Sequence, residues 1–168
     1  MKDGERCTLP HFGIEFEVME IPAHTRSHIA FHGGGMVFSG DTLFAVGCGR
    51  LFEGTPKQMH DSLSRLMQLP DETRVYCGHE YTVSNIRFAR AVEPDNAALR
   101  ELEIKAKQQR DQGLPTLPST IAQEKATNPF VRVREPSVIA AASKFAGRQL
   151  TDDPVSVLAA VREWKNGF

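Results

Sequence analysis

Two histidines and one aspartate stand where apolar, strand-like segments of the sequence end. His24, Asp41 and His79 each follow such a segment by a few residues. Side chains in loops directly after strands can converge on one point, because the strands hold them on a rigid scaffold. Imidazole and carboxylate groups together suit zinc, iron or manganese, and a carboxylate can bridge two ions. The spacing therefore indicates a metal site built from these three residues.

The same residues also have ordinary structural interpretations. Asp41 follows Gly40, and an aspartate after a glycine often serves only to form a turn. Histidines at strand ends are often surface or half-buried groups that bind nothing. Cys77 near His79 would suggest a Cys–His nucleophile, although its place inside an apolar strand is more typical of a small hydrophobic residue. Residue types and spacing alone leave the metal site and these alternatives open.

Residues 13–81 alternate short strand-like segments with glycine-rich turns. The strand-like segments lie at residues 14–18, 28–31, 36–38, 43–46 and 74–77. Gly33-Gly34-Gly35 separates two of them and predicts a hairpin whose turn needs positive φ angles. Thr55-Pro56-Lys57-Gln58 has the residues of a capping box, which predicts a helix that ends before Pro70.

The chain after Thr82 is predicted to be helical. Asp95-Asn96 can cap a helix that extends through Gln112. Pro136 and Gly147 bracket an alanine-rich helix, and Asp153-Pro154 begins a last one. Residues 116–136 are rich in proline, threonine and asparagine and are predicted to form an extended connector. We therefore expect an α+β protein with a mixed αβ part followed by an all-helical part.

Composition excludes several classes of function. The 168 residues include 20 Lys and Arg against 21 Asp and Glu, so the formal net charge is −1. A nucleic-acid binder would need a basic surface, which this balance does not supply. The sequence contains no apolar run near the ~20 residues that span a bilayer, and no signal-peptide segment follows Met1. Three widely spaced cysteines do not form a disulfide framework, so a reducing, cytoplasmic compartment is expected.

Several motifs together resemble one enzyme family. They are His24-Thr-Arg-Ser-His28, Ser39-Gly-Asp-Thr-Leu-Phe-Ala-Val-Gly-Cys-Gly-Arg-Leu-Phe-Glu-Gly54 and Val75-Tyr-Cys-Gly-His-Glu-Tyr-Thr82, with shorter matches at 88–94, 117–120, 128–134 and 161–165. This combination resembles glyoxalase II, the hydroxyacylglutathione hydrolase of the metallo-β-lactamase superfold. The resemblance covers almost the whole chain. It implies the C-terminal half of an αββα metallo-β-lactamase-like sandwich in residues 1–82 and an all-α glutathione-binding domain in residues 83–168.

The resemblance also implies a reaction. Members of this family hydrolyse the thioester S-D-lactoylglutathione to D-lactate and glutathione, the second step of methylglyoxal detoxification. The reaction uses hydroxide activated by two metal ions, usually zinc, with iron or manganese as alternatives. By this resemblance His24 is a ligand of the first metal, Asp41 is the bridging carboxylate and His79 is a ligand of the second metal. The same three residues are then the catalytic residues.

The family's glutathione-binding residues also have counterparts in this sequence. By resemblance these are Arg50, Tyr81, Arg162 and Lys165. Cations that face an anionic tripeptide form charge-assisted pairs and fix its orientation. Without the resemblance, Arg162 and Lys165 would be interpreted as cations that are favourable near the end of a helix. Phe52 departs from the family, because many members have a substrate-contacting tyrosine at this position.

One family motif does not occur in the sequence. Thr-His-x-His-x-Asp-His, which supplies four further metal ligands, is absent from these 168 residues. We therefore expect the chain alone to be incomplete as an enzyme and to expose an apolar sandwich face. That face would promote self-association or bind a missing N-terminal fragment.

Two further alternatives remain from the sequence. The first is a non-catalytic remnant that still binds glutathione. The second is another thiol enzyme of the superfold, such as a persulfide dioxygenase. The helical region with Asn128-Pro129-Phe130 and Arg162-Glu-Trp-Lys165 favours glyoxalase II over this second alternative.

Overall fold

A computed structural model describes residues 1–150 and 153–168 as a mixed sheet with six α-helices in the described ranges. The strands are β1 Arg6–Leu9, β2 Ile14–Glu20, β3 Ile29–Gly33, β4 Met36–Gly40, β5 Leu43–Phe44, β6 Gly47–Cys48, β7 Arg74–Cys77 and β8 Ser119–Thr120. The helices are α1 Pro56–Leu66, α2 Thr82–Val92, α3 Ala97–Asp111, α4 Ile121–Thr127, α5 Pro136–Ala146 and α6 Pro154–Asn166. The α+β class expected from the sequence is confirmed.

The sheet brings the ends of three strands to one edge. Its strand order is β1-β2-β3-β4-β7-β8, and β5 and β6 form a separate two-stranded ribbon. Strand β3 is antiparallel to both β2 and β4, and β4 is parallel to β7. Strands β2, β4 and β7 therefore run in the same direction. The loops that follow them, which contain His24, Asp41 and His79, leave the sheet at the same edge.

Local sequence signals set the elements around this edge as expected. The β3–β4 hairpin turns through Gly34 and Gly35, whose φ angles are +57° and +71°, values that glycine adopts without strain. Helix α1 begins with a complete capping box between Thr55 and Gln58. Its Met59, Leu63 and Leu66 are buried in the main core, and the helix packs against α6.

The second part of the chain differs from its sequence-based prediction at residues 116–136. The connector expected at 116–136 instead contains strand β8, which pairs with β7, and helix α4. The prediction was wrong because Thr120 caps α4 by accepting a hydrogen bond from Gln123 N. Strand β1 and the 3₁₀ turn Pro10–Phe12 were also not expected. No helix in residues 1–150 and 153–168 is long and apolar enough to cross a membrane.

The main core joins both parts of the chain. Val37 and Val75 of the sheet, Leu63 of α1 and Leu158 and Val161 of α6 belong to one buried cluster. Helix α6 packs against both α1 and α5. The domain boundary expected after residue 82 falls at the start of α2. The buried core continues across this position, and the division into two domains stays a prediction.

The opposite face of the sheet carries aromatic side chains that remain partly open to solvent. Phe31, Phe38 and Tyr76 lie opposite one another on neighbouring strands, and Phe16 lies on β2 two residues before Val18, the partner of Phe31. We call these four aromatic residues the aromatic sheet face. Phe38 contacts Phe16 edge-on at 5.6 Å between ring centroids and stacks on Tyr76 at 5.3 Å. Phe38 is nevertheless 42% exposed. The exposed apolar sandwich face expected from the sequence stays a prediction, for which this face is the candidate.

Candidate metal and substrate site

The Asp41 carboxylate lies between two histidines. His24 Nε2 is 3.5 Å from Asp41 Oδ2, and His79 Nε2 is 3.6 Å from Asp41 Oδ1. Both distances exceed those of well-formed hydrogen bonds, and Oδ1 is buried without a hydrogen-bond partner. The structure thus brings together the three residues that the strand ends predicted as metal ligands.

The tautomer of His24 follows from its other contact. His24 Nδ1 lies 3.0 Å from the Arg50 carbonyl oxygen, and because a carbonyl only accepts, Nδ1 carries the proton. In the neutral ring with this proton position, Nε2 is an unprotonated donor atom directed at the carboxylate. A metal-ligating histidine is commonly oriented by a carbonyl in this way. The arrangement leaves two electron-rich atoms facing each other, with room for a cation to bind both.

His28 fixes the backbone of Asp41. Its Nε2 accepts a hydrogen bond of 3.0 Å from Asp41 N, which requires an unprotonated nitrogen. Burial, followed by repulsion from His24, lowers the pKa of His28, so the ring stays neutral and continues to accept. The sequence motif contained His28, but spacing did not indicate this supporting role.

Two glycines allow the loops to approach Asp41 closely. A Cβ at Gly78 would lie 2.6 Å from Asp41 Oδ1, and a Cβ at Gly49 would lie 2.0 Å from the Asp41 carbonyl oxygen. Neither distance is tolerable for a side chain. Gly78 therefore lets His79 come close to the carboxylate, which explains its place directly before His79 in the motif.

The distances between the histidine nitrogens and the Asp41 oxygens fit two metal ions that would share this carboxylate. These residues supply only some of the ligands that such ions need. Zinc–nitrogen and zinc–oxygen bonds of about 2.0–2.2 Å at a tetrahedral angle separate two ligands of one ion by about 3.4 Å, close to both observed distances. Each ion would have one histidine and one carboxylate oxygen from this chain. Consistently, no group of three or more His, Cys, Asp or Glu side chains surrounds a single metal position in residues 1–150 and 153–168.

Aromatic rings flank the histidines. Tyr81 stacks on His79 with ring centroids 5.1 Å apart and planes at 20°, and Phe44 contacts Tyr81 edge-on. Phe52 lies 4.9 Å from His24 and is 68% exposed. Phe52 thus covers His24 without a hydroxyl group, and Tyr81 orients His79 besides its predicted contact with substrate.

A cavity of about 440 Å³ opens beside the carboxylate. The predicted site residues that line it are His24, Asp41, Arg50, His79, Tyr81 and Arg162. Lys165 lies behind this wall, with Nζ donating to the Ser84 carbonyl oxygen at 3.2 Å. The structure therefore gathers the predicted ligands and cations around one space, while their individual roles stay predictions.

Arg162 is a buried cation without an acidic partner in the described part of the chain. It is 6% exposed, donates to the Cys48 carbonyl oxygen at 2.8 Å and lies 5.0 Å above the Phe130 ring. Its Nε has no hydrogen-bond partner. Burial, with repulsion from Arg162 and Arg87, lowers the pKa of Lys165 to about 8. Buried positive charge that lacks a counterion favours an anionic ligand.

Comparison with known proteins identifies the class first. Residues 3–79 match the family model described as the metallo-beta-lactamase superfamily. The crystal structure of ETHE1 from Myxococcus xanthus is 27% identical with a TM-score of 0.56 and covers 98% of this chain and 58% of that one. BLEG-1 B3 metallo-beta-lactamase, at 21% identity and a TM-score of 0.52, covers 78% of this chain and 47% of that one and shows the shared fold alone. The superfamily implies a metal.

The family follows from the rest of the chain. Residues 80–168 match the model described as the hydroxyacylglutathione hydrolase C-terminus. Proteins named hydroxyacylglutathione hydrolase from Nitrosomonas europaea and Pseudomonas aeruginosa are 56% and 53% identical over the whole of this chain. The chain belongs to the hydroxyacylglutathione hydrolase family, as its motifs indicated. It spans 64% and 65% of the lengths of these two relatives.

Proposed function

We propose that this chain forms part of the active site of a metal-dependent hydrolase that converts S-D-lactoylglutathione to D-lactate and glutathione. The observation that supports this most strongly is the Asp41 carboxylate, whose two oxygens each face a histidine while Oδ1 has no hydrogen-bond partner. The names of the relatives support the choice of thioester.

In this proposal His24, Asp41 and His79 hold two metal ions, of which zinc is the first candidate and iron or manganese the alternatives. When bound, such a pair supplies a nucleophile at neutral pH and polarises the thioester carbonyl. The chain itself contributes the orientation of the donors. The Arg50 carbonyl oxygen holds His24 Nδ1, and His28 holds the backbone of Asp41.

The cations near the cavity are proposed to bind the glutathione part of the substrate. Arg162 in the cavity wall, Lys165 behind it and the exposed Arg50 match the negative charge of a tripeptide with two carboxylates. Tyr81 stacks on His79 in the wall of the same cavity and would contact the substrate near its thioester. Residues 1–82 would then carry the reaction, and residues 83–168 would bind most of the substrate.

Further metal ligands must come from outside these residues in this proposal. Each ion has two donors from this chain, whereas zinc sites commonly have four ligands. The aromatic sheet face is partly exposed, and we propose that it packs against the additional segment that the longer relatives have. Where that segment is absent, the same face would promote self-association. The three free cysteines fit a reducing, cytoplasmic compartment.

A chimera tests the proposal directly. The matched region of the Nitrosomonas europaea relative is replaced by these 168 residues, so that the remainder of that protein completes the site. We expect the chimera to bind two metal ions and to hydrolyse S-D-lactoylglutathione, and Asp41→Asn to reduce turnover by at least about 100-fold. The chain alone should be slower than the chimera by a similar factor.

The outcome that would contradict the proposal is a folded, metal-loaded chimera without thioesterase activity. Glutathione binding without metal or turnover would instead indicate a binding protein. Asp71→Asn is the matched control, because Asp71 is an exposed aspartate paired with Lys125 far from the cavity. Its turnover should equal that of the unmodified chimera.

A further inference from the structure

A valine in a left-handed conformation forms the turn between β5 and β6. Val46 has a φ of +59°, a conformation that β-branched residues rarely adopt and that persists only when the surroundings enforce it. Glycine would adopt it freely. The Val46 side chain, however, is fully buried in a small cluster with Ile86 and Leu99, so glycine would leave a cavity there.

Three buried polar side chains hold this turn, and we call them the carboxyl–amide cluster: Glu124, Asn128 and Asn85. Glu124 Oε2 accepts hydrogen bonds from Val46 N at 2.8 Å and from Asn128 Nδ2 at 2.9 Å. Asn128 Nδ2 also donates to the Gly47 carbonyl oxygen, and Asn85 Nδ2 donates to that of Ala45, both at 3.0 Å. Glu124 and Asn128 have no exposed surface, and Asn85 is 6% exposed.

The turn is connected to the site through a short hairpin. Leu43 pairs with Cys48, and Gly49 N donates to the Thr42 carbonyl oxygen. Asp41 directly precedes this hairpin, and Arg50 directly follows it. Because the Arg50 carbonyl oxygen orients His24, a shift of the hairpin changes the positions of both the carboxylate and the imidazole.

We propose that Glu124 is a positioning residue that acts on Asp41 and His24 by holding Val46 in its left-handed conformation. The carboxyl group touches neither the cavity nor the three candidate ligands, since its contacts are with the turn and with Asn128. The inference rests on the proposed site, because it explains how that site is held, but it requires neither bound metal nor hydrolysis.

The state of the carboxyl group agrees with this role. Burial raises the pKa of Glu124 to about 7, and the neighbouring Ser119 hydroxyl, Asn128 amide and Val46 N–H only partly oppose the rise. Glu124 Oε1 and Ser119 Oγ each lack a well-aligned hydrogen-bond partner. Glutamine at this position would keep an oxygen for Val46 N and place its amide towards Ser119, so it should preserve the turn.

Nuclear magnetic resonance of the whole 168-residue chain tests the proposal without metal or substrate. Amide hydrogen exchange is measured for residues 44–49, and the imidazole nitrogen signals are recorded for His24. Glu124→Ala should raise the exchange rates of Val46, Gly47 and Cys48 by at least about tenfold over the change elsewhere, and should shift the His24 signals. Glu124→Gln should leave both within about twofold of the unmodified chain.

Two further variants make the result decisive. Glu124→Asp keeps the charge but withdraws it by one methylene, and it gives an intermediate effect even if the alanine variant does not fold. Glu101→Ala on the exposed side of α3 should change nothing. The proposal is overturned if the alanine or aspartate variant loosens the chain uniformly, if the His24 signals stay in place, or if the glutamine variant behaves like alanine. Because no outcome depends on turnover, failure here is distinguishable from failure of the proposed hydrolase function.

Discussion

Replacing Glu124 by glutamine should remove a pH dependence of folding stability. The pKa of this carboxyl group rises from 4.5 to about 7 on folding because of burial. Between those values the folded chain binds more protons at this site than the unfolded chain does, so stability decreases as the pH rises. The stabilisation that Glu124 gives in its protonated form is complete below pH 4.5. It decreases between pH 4.5 and about 7 and does not change further at higher pH.

The size of the effect follows from the same values. Integrating the difference in proton binding from pH 5 to pH 8 gives a loss of roughly 2–3 kcal/mol for the glutamate chain. Glutamine has no ionisable group and should lose nothing through this site. The free energy of unfolding of Glu124→Gln minus that of the unmodified chain should therefore rise by roughly 2–3 kcal/mol between pH 5 and pH 8.

Urea denaturation at several pH values measures this difference. The comparison between variants cancels the titration of groups that both chains share. Burial raises the pKa of the neighbouring Cys77 thiol above its ordinary value of 9.0, so Cys77 stays neutral across the window. Glu101→Gln, an exposed substitution, should follow the unmodified chain at every pH. Stability curves of the Glu124→Gln and unmodified chains that run parallel within about 0.5 kcal/mol would refute the reasoning.

Three further predictions concern the site. Arg162→Met keeps the packing on Phe130 but removes the buried charge, and it should weaken glutathione binding by about 10–100-fold in calorimetry; unchanged affinity would remove Arg162 from the substrate site. Gly78→Ala places a Cβ 2.6 Å from Asp41 Oδ1, so the chimera's zinc content should decrease while its circular dichroism does not change. Because the pKa of Lys165 is about 8, glutathione affinity should decrease as the pH rises through that value, and Lys165→Arg should flatten the decrease.

Local sequence patterns predicted the residues of the candidate site better than they predicted the contacts that hold those residues in place. Strand ends and glycine-rich turns were sufficient to bring His24, Asp41 and His79 together, because three strands run in the same direction to one edge. Their separate roles needed the family resemblance. An aspartate after a glycine often only forms a turn. Asp41 differs from such a residue because His24 and His79 lie on either side of its carboxylate.

The supporting contacts could not be predicted because they join distant parts of the chain. Glu124 and Val46 are 78 positions apart, and neither residue has a neighbour that indicates the pair. Helix α4 itself was missed, since proline and asparagine at its flanks concealed the cap at Thr120. A left-handed valine has no signal in sequence at all, because its conformation is imposed by contacts from the helices.

The hairpin between Asp41 and Arg50 explains why the longest motif is continuous and rich in glycine. One end holds the carboxylate, the other orients His24, and the Cys48 carbonyl oxygen accepts from Arg162. A Cβ at Gly47 would lie 2.4 Å from Asn85 Nδ2, and one at Gly54 would lie 2.4 Å from Ala23 Cα. The backbone of this segment therefore has to approach the helices and the His24 loop without side chains. Because the proposed metal ligands and the proposed glutathione-binding Arg162 contact the same hairpin, substitutions in α4 that move it should affect metal and glutathione binding together.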